Sequence, residues 1–129
     1  MLYLDSSAIV KLVAPEPETA ELVEAIRLDP VAVSSALART EVVRAVRRSG
    51  GSVPRARRVL DGIALAPIDE GILRGAAELA PPRLRTLDAI HLATALSLRE
   101  EIASLITYDD RLAAAATSAG LTVDAPGLG

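Results

Sequence analysis

Residues 2–13, Leu-Tyr-Leu-Asp-Ser-Ser-Ala-Ile-Val-Lys-Leu-Val, decide the fold. The three leading apolar residues are typical of a short buried strand, which ends at Asp5. Ser6 or Ser7 is then positioned to cap a helix that runs to the end of this stretch, where the step into Pro15 stops it. A strand followed at once by a polar turn and a helix predicts the first unit of an α/β chain.

Short apolar segments continue to alternate with helical ones. Segments of strand character lie at 31–34, about 65–68, 104–107 and 121–123. Helices are predicted at 17–28, at 35–48 with Ser35 as cap, from Pro54, at 69–79 with Asp69 as cap, at 86–98 and at 109–119 with Gly120 as stop. This alternation predicts an α/β fold with a parallel sheet covered on both faces, and such sheets bind ligands at the carboxyl ends of their strands.

Length and composition narrow the class of protein. A chain of 129 residues predicts one domain spanning 1–129. Half of the residues are hydrophobic but only 2% are aromatic, so the core must be built from Ala, Val, Leu and Ile. The absence of Cys excludes a disulfide scaffold, a thiolate zinc site and a cysteine nucleophile. Since the longest apolar run, 112–116, is far below the roughly 20 residues of a membrane helix, we expect a cytoplasmic protein without membrane contact.

The charges are unevenly distributed. The net charge of −3 argues against a protein that coats nucleic acid by bulk attraction. Seven arginines nevertheless lie between Arg39 and Arg58, where Glu41 is the single acid. These arginines can form a surface that contacts phosphates, or they can simply solvate their helices, and the sequence leaves both alternatives open.

Four acids come from distant segments that the predicted fold can bring together. Asp5 and Asp109 each lie just past a predicted strand, Asp88 lies near the start of a helix, and Glu41 lies inside the third helix. Each has a simpler interpretation, because Asp5 and Asp109 can cap helices and Asp88 can be a favourable first-turn acid. Glu41 can likewise pair with Arg44 on a solvated face.

A cluster of carboxylates needs compensation. Two unit charges 4 Å apart repel by about 4 kcal/mol at an effective dielectric near 20, so such a cluster requires protons, basic partners or a bound cation. Ligands that are all oxygen, with no Cys and one His in the chain, suit Mg²⁺ or Mn²⁺ and suit Zn²⁺ poorly. Carboxylate-held Mg²⁺ or Mn²⁺ is typical of phosphoryl transfer, which indicates phosphodiester chemistry.

Four segments carry a resemblance to a known family. They are Leu-Asp-Ser-Ser-Ala-Ile-Val-Lys-Leu at 4–12, Ala-Arg-Thr-Glu-Val-Val-Arg-Ala at 38–45, Arg-Thr-Leu-Asp-Ala-Ile-His-Leu-Ala-Thr-Ala at 85–95 and Thr-Tyr-Asp-Asp-Arg-Leu at 107–112. Together, in this order and at this spacing, they resemble a PIN domain of the VapC toxin type. The resemblance implies a three-layer α/β/α sandwich with a five-stranded parallel sheet and an Mg²⁺- or Mn²⁺-dependent endoribonuclease. It also implies a homodimer that a cognate VapB-type antitoxin neutralises.

The resemblance also assigns roles to individual residues. The four acids of the family fall on Asp5, Glu41, Asp88 and Asp109, with Thr107 and Ser6 as supporting polar groups. As a hypothesis, Asp5, Asp88 and Asp109 hold the metal, and Glu41 helps to orient the attacking water. In-line attack then leaves 5′-phosphate and 3′-hydroxyl ends. Asp110 is interpreted as a first-turn acid of its helix.

Other functions fit the sequence less well. A Ser-His-Asp triad can be written with His91, the single histidine, but no nucleophile elbow accompanies it, so we expect His91 to pack or hydrogen-bond beside the site. A signalling receiver would need an acidic pair after its first strand and a lysine near its end, whereas the only lysine is Lys11. The alternative that stays open is a catalytically inactive PIN-fold module that only pairs with an antitoxin.

Overall fold

The computed structural model describes residues 1–128, which form five strands and seven helices. The strands are β1 (Leu2–Leu4), β2 (Ala32–Ser35), β3 (Ala64–Ala66), β4 (Ser104–Ile106) and β5 (Val123–Asp124). The helices are α1 (Ser6–Val13), α2 (Thr19–Leu28), α3 (Ala38–Arg48), α4 (Val53–Asp61), α5 (Glu70–Glu78), α6 (Thr86–Ser97) and α7 (Asp110–Ser118). Within residues 1–128, no helix is both long and apolar enough to cross a membrane.

The five strands form one parallel sheet in the order β3-β2-β1-β4-β5. β1 is central, with Leu2 paired to Ala32 on one side and to Ser104 on the other. Because all strands run in the same direction, the residues that follow β1 and β4 meet at the same edge of the sheet. Asp5 and Asp109 are therefore neighbours in space although they lie far apart in the chain.

Helices cover both faces of the sheet. Leu2 and Leu4 of β1 pack in a core cluster with residues of α1, α2, α3 and α4. Tyr3 points to the opposite face, where it packs with residues of α6 and α7, such as Leu92 and Leu112. α5 packs against α6. The alternation of side chains along β1 thus separates two cores, and the predicted three-layer α/β/α sandwich with a five-stranded parallel sheet is confirmed.

Two predicted helix caps are wrong. The side chain that caps α1 is Asp5, whose carboxylate accepts the amide of Ala8, and not Ser6 or Ser7, which lie inside the helix. Ser35 is the last residue of β2, and its hydroxyl accepts the amide of Leu37 at 3.1 Å in the turn that follows. α3 begins after this turn, at Ala38, without a side-chain cap. The prediction for Asp69 is confirmed, since its carboxylate accepts the amide of Ile72 at the start of α5.

The last strand begins later than predicted. β5 spans Val123–Asp124, not 121–123, because the Leu121 amide donates to the carbonyl of Ala116 and so still closes the end of α7. Gly120 ends that helix as predicted, and its φ of +95° explains the glycine.

A core substitution away from the sheet edge tests this packing. Leu60 of α4 is fully buried, so Leu60→Ala removes apolar contacts and leaves a cavity. We expect the free energy of unfolding to fall by about 2–5 kcal/mol, measured by urea denaturation. Leu28→Ala, at the 71% exposed end of α2, is the matched control and should change it by less than about 0.5 kcal/mol. Equal effects of the two substitutions would contradict the assigned core.

Candidate active site

A cleft of about 510 Å³ opens at the carboxyl edge of the sheet, and all four predicted acids line it. Asp5 follows β1, Glu41 lies in the first turn of α3, Asp88 lies in the first turn of α6, and Asp109 precedes α7. The structure therefore brings together acids that are separated by up to about a hundred residues in the chain, and for Asp5 and Asp109 the strand ends predicted this.

Asp5 is buried at the base of the cleft. Its Oδ1 accepts the amide of Ala8 at 3.0 Å and the hydroxyl of Ser7 at 2.7 Å, and its Oδ2 accepts the hydroxyl of Thr107. Burial raises the pKa of Asp5, and the hydrogen bonds from Ser7 and Thr107 oppose that rise. Asp5 therefore caps α1 and lines the cleft at the same time, so its capping role does not exclude a role in the cleft.

Asp109 and Asp88 both contact the guanidinium of Arg85. Oδ1 of Asp109 caps α7 by accepting the amides of Arg111 and Leu112, at 2.9 and 3.0 Å. Its Oδ2 accepts Nη2 of Arg85 at 3.0 Å, while Nε of Arg85 donates to Oδ2 of Asp88 at 3.1 Å. Burial raises the pKa of Asp88, and the nearby charge of Asp109 raises it further. The two carboxylates are thus close enough to repel, and a guanidinium compensates them.

Glu41 is held by two neighbours on other elements. Its Oε1 accepts the hydroxyl of Ser6 at 2.6 Å and lies 2.7 Å from Nε2 of His91. Partial burial would raise the pKa of Glu41, but the hydrogen bonds from His91 and Ser6 outweigh burial and lower it. Within residues 1–128 Glu41 makes no ion pair with Arg44, so the interpretation of Glu41 as half of a solvated surface pair is wrong.

His91 is buried beside the cleft and hydrogen-bonds there, as expected from the sequence. Its Nδ1 lies 2.8 Å from the hydroxyl of Tyr3, and its Nε2 faces both Ser6, at 3.2 Å, and Glu41. A hydrolytic triad requires the serine and the acid on opposite ring nitrogens. Here Ser6 and Glu41 both contact Nε2 of His91, so the geometry does not support a nucleophilic serine.

Two of the seven arginines between 39 and 58 line the cleft. Arg44 and Arg48 lie one turn apart on α3, continuing the face that carries Glu41. All seven side chains are exposed, and in the part of the chain that the structure describes none lies within 4 Å of a carboxylate. Asp110, by contrast, is an exposed first-turn acid of α7 outside this cleft, as predicted.

The oxygen atoms of the cleft acids are suitable ligands for Mg²⁺ or Mn²⁺, but these side chains are not arranged around a single point as metal ligands would be. Among residues 1–128 no three His, Asp or Glu side chains are grouped as they would be around a metal ion. Two of the acids contact Arg85 instead, and both oxygens of Asp5 accept hydrogen bonds. Their oxygens are ligands that Mg²⁺ and Mn²⁺ prefer, and the guanidinium shows that this edge of the cleft accommodates a positive charge.

Sequence reasoning did not assign Arg85, Tyr3 or the individual cleft arginines. Arg85 had a detectable signal, since it lies three residues before Asp88 and can reach it across one helical turn. The partnership of Tyr3 with His91 joins positions 88 residues apart, which no local pattern encodes.

Comparisons with known proteins agree with this architecture. The PIN domain model matches residues 2–117. The chain is 50% identical over 126 residues to Ribonuclease VapC46 of Mycobacterium tuberculosis, which covers 97% of each chain. The crystal structure of M. tuberculosis VapC20, a sarcin-ricin loop cleaving toxin, has a TM-score of 0.71 at 14% identity, covering 98% of this chain and 100% of that one. VapBC2 from Rickettsia felis, bound to a DNA fragment from its promoter, also has a TM-score of 0.71 at 14% identity, with coverage of 98% and 99%. These two structures support the shared fold alone.

Proposed function

Because the chain belongs to the PIN domain family, we propose that it is an endoribonuclease, the toxin of a VapBC-type pair, that hydrolyses RNA phosphodiester bonds. The observation that carries this proposal is the cleft itself. Four acids from four segments line the same cleft as Arg44 and Arg48, which make no ion pair within residues 1–128. Near-full-length identity of 50% to a VapC ribonuclease supports the same activity.

We further propose that Asp5, Asp88 and Asp109 hold Mg²⁺ or Mn²⁺. When bound, this ion would activate water and stabilise charge on the phosphate and on the leaving oxygen. Arg85 would have to release Asp88 and Asp109 for these carboxylates to become ligands. Thr107 and Ser6 support the site, since their hydroxyls fix carboxylate oxygens of Asp5 and Glu41.

The chain's own residues divide the remaining work. Arg44 and Arg48 hold the RNA backbone at the cleft, because exposed guanidinium groups without acidic partners are good phosphate ligands. The hydrogen bonds to Glu41 keep it ionised, and its carboxylate orients the attacking water by accepting a hydrogen bond from the water. In-line attack on the phosphate then leaves a 5′-phosphate and a 3′-hydroxyl. Asp5, Glu41, Asp88 and Asp109 are the proposed catalytic residues.

Purified protein incubated with a panel of structured and single-stranded RNAs tests this function. We expect cleavage in Mg²⁺ or Mn²⁺, complete loss in EDTA, and fragments whose ends carry 5′-phosphate and 3′-hydroxyl groups. Cleavage that persists in EDTA would refute the metal proposal. No cleavage of any RNA with either ion would favour the alternative, an inactive PIN-fold module that only binds an antitoxin.

Two partners follow from the proposed toxin role. We propose a homodimer and a cognate VapB-type antitoxin, acting in the cytoplasm. A toxin-antitoxin complex from Klebsiella pneumoniae with a TM-score of 0.65 supports the fold that such toxins use. Light scattering of the purified chain tests the dimer. Co-purification with the product of an adjacent small reading frame tests the antitoxin.

The cleft arginines predict a salt-dependent phenotype. Arg44→Ala and Arg48→Ala should each weaken binding of single-stranded RNA and reduce the slope of log K against log salt by about 0.7, because each removes one phosphate contact. Fluorescence anisotropy in an Asp5→Asn background measures binding without cleavage. Arg57→Ala is the control, since Arg57 is exposed on α4 and does not line the cleft. Equal slopes for all three variants would exclude the proposed RNA path.

A further inference from the structure

A chain of buried hydrogen bonds runs from the centre of the sheet to the cleft. Tyr3, on the central strand, is fully buried, and His91 is 2% exposed. The Tyr3 hydroxyl lies 2.8 Å from Nδ1 of His91, and Nε2 of His91 lies 2.7 Å from Oε1 of Glu41. The two rings meet edge to face, with centroids 6.0 Å apart and an interplanar angle of 84°. Three elements, β1, α6 and α3, are thereby connected through polar atoms.

The network contacts only one oxygen of Glu41. Both the Ser6 hydroxyl and His91 Nε2 lie against Oε1, whereas within residues 1–128 no donor contacts Oε2. The side chain is 22% exposed and lines the cleft. A carboxylate held at one oxygen by two donors cannot rotate freely about its last bond, so its second oxygen keeps a constant direction.

The proton positions follow from the partners. An ionised Glu41 can only accept, so Nε2 of His91 must carry a hydrogen. Nδ1 then accepts a hydrogen bond from the Tyr3 hydroxyl, which lies 2.8 Å away. Both ring nitrogens of His91 thus have a hydrogen-bond partner. This matters because an unsatisfied polar group at such depth would be costly.

We propose that Tyr3 and His91 are positioning residues, which hold Glu41 so that its free oxygen meets the attacking water. The proposal rests on the proposed nuclease function, because it assigns Glu41 to that water. Packing alone does not account for the pair, since apolar side chains would fill the same space without polar atoms to satisfy. Neither residue touches RNA or metal in this role; they act through Glu41.

Kinetics of two matched pairs of variants test the positioning role. Tyr3→Phe removes only the hydroxyl, and we expect kcat to fall about tenfold with KM unchanged, on the fluorophore–quencher RNA that the wild type cleaves fastest. The control is Tyr108→Phe, which also removes a hydroxyl hydrogen bond of 2.8 Å, to the carbonyl of Pro126, but outside the network. It should retain wild-type kcat. His91→Gln can still donate to Glu41 and should keep more activity than His91→Ala.

Three outcomes would overturn the proposal. One is an unchanged kcat in Tyr3→Phe. The second is a rise in KM alone, which would move the network to RNA binding. The third is equal kcat in His91→Gln and His91→Ala at matched melting temperatures, which would reduce His91 to packing.

A spectroscopic measurement tests the network without RNA or metal. Because His91 is the only histidine, ¹⁵N NMR of the tag-free protein reports one imidazole. We expect a single tautomer with the proton on Nε2, and a shift of the Nδ1 resonance in Tyr3→Phe but not in Tyr108→Phe. A mixture of tautomers in the wild type would overturn the network. If the wild type cleaves no RNA, the proposed function fails, while this spectrum still decides whether the hydrogen-bond chain exists.

Discussion

Asp5→Asn should reduce RNA cleavage by at least about 10³-fold while leaving the fold intact. The substitution removes the negative charge at the base of the cleft, and loss of one preorganised electrostatic group costs an enzyme about 10²–10³-fold in kcat. As a proposed metal ligand, Asp5 adds the cost of weaker ion binding. Single-turnover cleavage of a labelled RNA in Mg²⁺ measures this loss directly.

The fold should tolerate this change because asparagine also caps helices. Its side-chain oxygen can accept the amide of Ala8 as Asp5 does, and Asn ranks with Asp as a capping residue. We expect the free energy of unfolding to change by less than about 1 kcal/mol. Asp69→Asn is the matched control, since Asp69 caps α5 through the same kind of bond, 2.9 Å to the amide of Ile72, and does not line the cleft.

The metal role of Asp5 has a readout that needs no RNA. Ligand binding to the folded state raises the melting temperature, so Mn²⁺ should stabilise the wild type and the Asp69→Asn control. Asp5→Asn should lose that rise. Full cleavage by Asp5→Asn, or an unchanged Mn²⁺ effect on its melting temperature, would contradict the assignment of Asp5 to the metal.

Substitutions of Asp109 should separate its cap from its chemistry. Asp109→Asn and Asp109→Ser both keep a side-chain oxygen for the amides of Arg111 and Leu112, so α7 should keep its stability. Both remove the carboxylate charge that faces Arg85 at 3.0 Å, and we expect cleavage to fall by at least about 10²-fold. Asp109→Ala should lose the same activity and, in addition, about 1 kcal/mol of stability.

Urea denaturation and cleavage rates measured on the same three proteins check this separation. If Asp109 only caps α7, the Asp109→Asn and Asp109→Ser variants should retain activity. The Asp109→Ala variant should then lose activity only in proportion to its unfolded fraction. The cleft geometry predicts that all three variants lose activity and that only Asp109→Ala also loses stability.

The convergence of the four acids was predictable because it depends on topology more than on side-chain detail. Parallel strands place their carboxyl ends at one edge, so the positions of Asp5 and Asp109 after two strands were sufficient. To place Glu41 and Asp88 at this edge, the family resemblance was needed as well. Both lie in helices, and a position in a helix does not by itself indicate which neighbouring element the side chain faces.

Contacts between side chains on different elements were not predictable from local patterns. The Tyr3–His91–Glu41 chain depends on how far α6 and α3 lie from β1, which packing decides. The capping errors have a similar origin. Asp, Ser and Thr all cap helices, and three candidates in a row, Asp5 to Ser7, leave the choice to backbone geometry.

Arg85 places one positive charge against two carboxylates of the cleft, Asp88 and Asp109. In the proposed metal site, the divalent ion would have to displace this guanidinium from Asp88 and Asp109. The apparent affinity for that ion would then be the intrinsic affinity reduced by the cost of releasing Arg85. Activity would therefore require a higher free concentration of the proposed ion than the same carboxylates would need without Arg85.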